Sequence, residues 1–138
     1  MDPRQVLPHR EPFLLVDQVL EVVPEKSARG IWKLTGDEWF FKGHFPGRPT
    51  LPGVLMIEAI AQLGGVAVLS AERYKGKLAL FGGVDKARFR RQVLPGDVLD
   101  LEVEMTRLSA SAGKGSGRAS VEGVLACEAD LLFVIVDN

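Results

Sequence analysis

Two residues fourteen positions apart, His44 and Glu58, are the side chains of this chain best suited to moving protons. His44 is one of only two histidines and stands in the loop Gly43-His44-Phe45-Pro46-Gly47-Arg48-Pro49. The prolines of that loop narrow its backbone choices and the glycines admit the tight turns between them, while Phe40, Phe41 and Phe45 make its surroundings apolar. Apolar surroundings favour the neutral imidazole, and a neutral imidazole on a rigid loop suits abstraction of a weakly acidic proton. The competing reading is a loop histidine whose ring packs on Phe45 and whose nitrogens find backbone partners.

Glu58 sits among Met56, Ile57, Ala59 and Ile60, and at helical spacings of three and four only Gln62 is polar. An apolar setting disfavours the ionised carboxylate, so Glu58 reads as an acid that keeps its proton. The alternative is a glutamate at a helix edge, reaching for water or an arginine. A neutral base beside a protonated acid is the apparatus for adding or removing water across a carbon–carbon bond. The sequence leaves open whether the two meet within one subunit or across a dimer. Gly53 and Val54 lie where a helix should begin, and N–H groups there lack intrahelical partners at the positive end of the dipole. Such donors suit a thioester carbonyl as it gains enolate character.

These residues need a frame. Val16–Val23 and Ser27–Leu34 read as a β-hairpin broken at Pro24-Glu25-Lys26, and 37–51 reads as loop. From Pro52, with Thr50 as a cap, about 20 residues without a strong breaker other than Gly64-Gly65 would span about 30 Å as helix. Its apolar residues surround the axis, so it is buried on most sides, with Gly64 and Gly65 admitting another backbone. Leu78–Phe89, Leu99–Thr106, Arg118–Leu125 and Ala126–Val136 read as strands. Leu99, Leu101, Val103 and Met105 alternate with Asp100, Glu102, Glu104 and Thr106, which gives one buried and one wet face. The Gly/Ser-rich stretch 109–117 reads as a mobile connection between strands. The order β-β-helix-β-β-β, with five or six antiparallel strands around one helix, predicts a two-layer α+β domain occupying residues 1–138.

The remaining features bound the function. A chain of 138 residues with 46% hydrophobic content suits one domain, and a formal net charge of -1 gives no reason to expect nucleic acid. The first residues, Met1-Asp2-Pro3-Arg4-Gln5, lack the pattern of a signal peptide, and Glu58, Gln62 and Gly64-Gly65 interrupt the apolar run 54–71. A cytoplasmic protein without a membrane span is expected. The single Cys127 shares strand parity with Ala129, Leu131 and Phe133 and reads as core. Lys86, Arg88, Arg90 and Arg91 place four cations in six residues, either a solvated strand end or a docking patch for an acidic partner. His9 and Arg10, between Pro8 and Pro12, read as structural. No cluster has metal-ligand spacing and no glycine-rich phosphate loop follows a strand, so neither metal nor cofactor is expected.

Three blocks together carry a resemblance: Leu7-Pro8-His9-Arg10-Glu11-Pro12-Phe13-Leu14-Leu15-Val16-Asp17, Gly43-His44-Phe45-Pro46-Gly47, and residues 52–62 from Pro52-Gly53-Val54 to Ile60-Ala61-Gln62. With Val84–Arg90, Pro95-Gly96-Asp97 and Ala126–Ala129 they run in order over nearly the whole chain. The chain resembles the bacterial (3R)-hydroxyacyl-[acyl-carrier-protein] dehydratases of the FabZ type. The resemblance implies a hot-dog fold, an antiparallel sheet wrapped around one long helix, and a homodimer usually assembled as a trimer of dimers. It implies dehydration of (3R)-3-hydroxyacyl-ACP to trans-2-enoyl-ACP in type II fatty acid synthesis, without metal or cofactor. Carried over by motif, His44 is the base, and Glu58 of the other subunit protonates or orients the leaving hydroxyl. The Gly53 N–H holds the thioester carbonyl, Gln62 orients Glu58, and the basic cluster receives the acyl carrier protein. Glu58, where the isomerising relative typically carries Asp, favours simple dehydration. Trp39 and Gln92 stand where the family often has Pro, and Leu80 where a tunnel-gating Tyr is common. A hot-dog acyl-thioesterase and a non-catalytic acyl-thioester sensor are the alternatives; the His44 loop argues against the first and the retained His44/Glu58 pair against the second.

Overall fold

A computed structural model describes all residues 1–138. Its regular elements are β1 (Gln18–Val23), β2 (Ser27–Lys33), α1 (Gly53–Leu69), β3 (Lys77–Phe89), β4 (Val98–Leu108), β5 (Ala112–Val121) and β6 (Val124–Asp137). The six strands form one antiparallel sheet in the order β1-β2-β4-β5-β6-β3, with α1 on its inner face. This is the expected α+β hot-dog architecture. β3 pairs only with β6, so its other edge is free.

Helix α1 is apolar all round because it is enclosed: every residue from Leu55 to Leu69 is buried except Glu58. Even so, no helix is long and apolar enough to cross a membrane. With 17 residues it is shorter than the sequence suggests, about 26 Å at 1.5 Å per residue. The strand alternation holds. Leu99, Leu101 and Val103 of β4 are buried against exposed Asp100, Glu102 and Glu104. Cys127 joins Ala129, Leu131 and Phe133 of β6 in the core, where burial pushes its thiol up to about 11.

Four local expectations are corrected. Residues 109–117 are not one long connection: only 109–111 form the turn, and Ala112–Gly117 are the first part of β5. Glycine recurs there because the space is taken; a Cβ at 117 would run into Ile60 of α1, and one at 115 would meet the Glu104 carbonyl at 2.8 Å. Second, 118–125 is not one strand: 118–121 end β5 and 124–125 begin β6. The hairpin turns at Glu122-Gly123, whose φ of 49° and 79° match a type I′ turn, and these two residues separate β5 from β6. Third, Gly64 and Gly65 admit side chains instead of a backbone. A Cβ at 64 would lie 2.7 Å from the Phe133 ring, and one at 65 would lie 3.1 Å from Leu7. Fourth, Thr50 does not cap α1. Pro52 is the N-cap, with no side-chain hydrogen bond.

Candidate active site

His44 is positioned by a sequence of short-range constraints. Phe45 and Arg48 exchange backbone hydrogen bonds of 3.1 and 2.9 Å across Pro46-Gly47, and Gly47 has φ 76°. Pro at the second and Gly at the third position of a tight turn suit a type II geometry. The peptide between His44 and Phe45 is cis. Thr50 then holds the histidine at two points, since its N–H donates to the His44 carbonyl at 2.7 Å and its own carbonyl lies 2.9 Å from His44 Nδ1. Thr50 is itself fixed, because Gln92 donates to its hydroxyl at 2.8 Å and Leu51 N–H bonds the Val93 carbonyl at 2.8 Å. Thr50 therefore braces the His44 loop where the sequence suggested a helix cap.

That bond sets the tautomer. A carbonyl oxygen only accepts, so Nδ1 carries the hydrogen and the neutral ring keeps its lone pair on Nε2. The ring is half-buried and stacks on Phe45 at 4.1 Å between centroids, and with a backbone partner at Nδ1 it meets the structural reading of the sequence while Nε2 stays without a protein partner. His44 lines a cleft of about 540 Å³ with Gly53, Val54, Phe89, Arg90 and Arg91. The first amides of α1 face no side-chain cap. The Phe89 ring lies over Gly53, where a Cβ would come within 2.7 Å of it. Val54, 68% exposed, is the most open large apolar side chain.

Glu58 faces a different cleft, of about 420 Å³, lined mainly by apolar residues that include Leu69, Leu78, Leu80, Phe81 and Phe133. The two clefts have no lining residue in common, so a single chain keeps His44 and Glu58 apart. Gln62, only 1% exposed, donates to Glu58 Oε2 at 2.9 Å and to the Phe13 carbonyl at 2.8 Å, and accepts from Leu15 N–H at 2.8 Å. It ties Glu58 to the N-terminal segment. Gln62→Leu, similar in size, leaves the Phe13 carbonyl and Leu15 N–H unpaired. We expect it to lower the unfolding free energy by about 1–4 kcal/mol, measured by urea titration, since the orphaned buried Leu15 N–H costs about 1–3 kcal/mol and the part-buried Phe13 carbonyl less.

The basic cluster divides. Arg90 and Arg91 line the His44 cleft, with Arg90 3.3 Å from Glu128 and Arg91 donating to the Val121 carbonyl at 3.2 Å. Arg88 is exposed, and Lys86 lines a separate groove with Glu102, Glu104 and Asp130. Leu80 is half exposed at the Glu58 cleft, and Trp39 is exposed beside Phe40. Sequence reasoning missed two residues. Gln92 supports Thr50, and His9 places Nε2 3.9 Å from Glu58 Oε2. For His9 the available signal was its rigid Pro8–Pro12 bracket, but nothing local shows that this bracket crosses α1.

A family model described as a FabA-like domain matches residues 7–130. The chain is 58% identical over 130 residues to a 3-hydroxyacyl-[acyl-carrier-protein] dehydratase FabZ of Moorella thermoacetica, covering 94% of this chain and 91% of that protein. It is 54% identical over 132 residues to the Clostridium botulinum protein of the same name, covering 96% and 92%. The solved dehydratase heterocomplex ApeI:P from Xenorhabdus doucetiae superposes with a TM-score of 0.83 at 23% identity, over 100% of this chain and 92% of that one, a likeness of fold.

Proposed function

The chain belongs to the FabA-like family, among relatives of the FabZ dehydratase type, and from that premise we propose how it removes water from (3R)-3-hydroxyacyl-ACP. His44 is the base. Its Nε2 takes a proton from C2 of the thioester, and the carbonyl gains enolate character. The Gly53 N–H at the start of α1 receives that developing charge, aided by the helix dipole. Glu58, from the second subunit, gives its proton to the C3 hydroxyl. The C2–H and C3–O bonds break, the C2–C3 double bond forms and water leaves, giving the trans-2-enoyl thioester. Gln62 fixes the orientation of Glu58 throughout.

The observation that carries this reading is the His44 Nδ1 bond to Thr50, which leaves Nε2 as the free lone pair beside the uncapped helix start. Support for a homodimer comes from β3. Its edge is unpaired, and Leu80, Phe81, Val84 and Phe89 along it are all more than 40% exposed. A two-fold partner pairing β3 with β3 covers them and brings each Glu58 to the other chain's His44. In keeping with the family, three such dimers assemble together. Lys86, Arg88, Arg90 and Arg91 receive the acidic carrier protein, with Arg90 and Arg91 nearest the cleft mouth, and the apolar cleft below Glu58 takes the acyl chain. The setting is one hot-dog unit over residues 1–138, working in the cytoplasm.

The test is to incubate the protein with crotonyl-ACP or 3-hydroxybutyryl-ACP and follow the enone absorbance. Interconversion of the two is expected. Release of free acid, or no reaction, would overturn the reading.

A further inference from the structure

The N-terminal segment crosses α1 at three places spaced along one face. Leu7 packs against Gly65, the backbone of Phe13 and Leu15 bonds Gln62, and His9 stands over Glu58. Its course is fixed, because Arg10 donates to the carbonyls of Leu7 at 2.8 Å and His9 at 2.7 Å. The position of the His9 ring is therefore set by backbone and packing. That position is expensive for an imidazole. Its Nδ1 is buried with no partner, whereas a leucine or phenylalanine would fill the same wall at no such cost. Meanwhile its Nε2 lies 3.9 Å from Glu58 Oε2, the oxygen that Gln62 also approaches, at 2.9 Å. Among the residues lining this cleft only His9 and Glu58 titrate. The nearby charges on His9's own segment are engaged elsewhere: Arg4 with Asp2 and Glu11, Arg10 with carbonyls.

We propose that His9 is a positioning residue for Glu58: its Nε2–H donates to Oε2 as the carboxylate forms, so that Oε2 is held by Gln62 and His9 while Oε1 is left to face the leaving hydroxyl. A shift of under about 1 Å closes the 3.9 Å gap to hydrogen-bond distance. The bond strengthens as Glu58 loses its proton, because charge-assisted hydrogen bonds are about twice as strong as neutral ones. His9 therefore favours the transition state over bound substrate, and its effect falls on kcat instead of KM. The tautomer this requires buries a bare acceptor at Nδ1, which is less costly than an orphaned donor. The proposal rests on the reading of Glu58 as the acid.

The test uses the full-length protein with 3-hydroxybutyryl-ACP and the variants His9→Leu, His9→Gln and His9→Asn, with Glu58→Gln as reference. A Gln amide nitrogen reaches the place of Nε2, and an Asn amide nitrogen only that of Nδ1. We expect His9→Leu to lower kcat about 10- to 100-fold with KM within about threefold. His9→Gln should regain most of that loss and His9→Asn little, with all unfolding midpoints close together. If His9→Leu does not fold, the Gln and Asn variants make the same comparison. Wild-type kcat in His9→Leu, or equal rates for Gln and Asn, would overturn the proposal while Glu58→Gln stays inactive. Wild-type turnover by Glu58→Gln would instead overturn the assignment of Glu58 and the His9 role with it.

Discussion

His44→Ala is expected to lower dehydration of (3R)-3-hydroxybutyryl-ACP by about 10²- to 10⁴-fold, the usual contribution of a positioned general base. The loss should fall on kcat, since in the proposed mechanism the ring acts on the C2 proton alone. In that mechanism the acyl cleft and the carrier contacts supply substrate affinity, and the substitution leaves both in place. The substitution also removes the Nδ1–H bond to Thr50, a net cost of about 1 kcal/mol. The loop keeps its other supports: the Thr50 N–H bond to the His44 carbonyl, the Phe45–Arg48 turn and the Gln92–Thr50 bond. Circular dichroism and the unfolding midpoint should therefore stay near wild type while turnover collapses. Near-native turnover would remove His44 from the chemistry.

Glu58→Ala carries the second large effect, again about 10²- to 10⁴-fold. The side chain is the single residue between Leu55 and Leu69 that is not buried, so truncating it opens no cavity inside the core. Its loss frees one Gln62 N–H, but the bonds from Gln62 to Phe13 and Leu15 persist and hold the segment across α1. Stability should change little and rate greatly. An acid that donates to the leaving hydroxyl has no substitute in an otherwise apolar cleft, where His9 is the one other titrating group. The measurement is steady-state turnover beside urea unfolding, and a rate within a few-fold of wild type would refute the role.

Much of this was legible in the sequence, for physical reasons that differ by element. β4 and β6 could be read because one face of each is buried, so the period of two is written in residue type. α1 could be read from its unbroken apolar run, and Glu58 and Gln62 from being polar within it, one turn apart. β5 could not. Gly113, Gly115 and Gly117 carry the composition of a loop, and only the presence of Ile60 and Met105 in the space a side chain would fill explains them. The same limit hid Thr50. A threonine two residues before a proline-started helix has the form of a cap, but its partners are His44 and, 42 residues along the chain, Gln92. His9 and Glu58 are 49 positions apart with no pattern joining them, so their approach is a property of the fold alone.

The central claim is that His44 and Glu58 form one site only when two chains meet, since within a chain they line separate clefts. The direct measurement mixes His44→Ala and Glu58→Ala proteins, each inactive, under conditions that exchange subunits, and assays the mixture on 3-hydroxybutyryl-ACP. Random pairing makes half the dimers mixed, and in each the intact His44 of one chain faces the intact Glu58 of the other at one of two sites. Activity should return to about a quarter of wild type. A mixture as inactive as its parents, with exchange verified, would contradict the account.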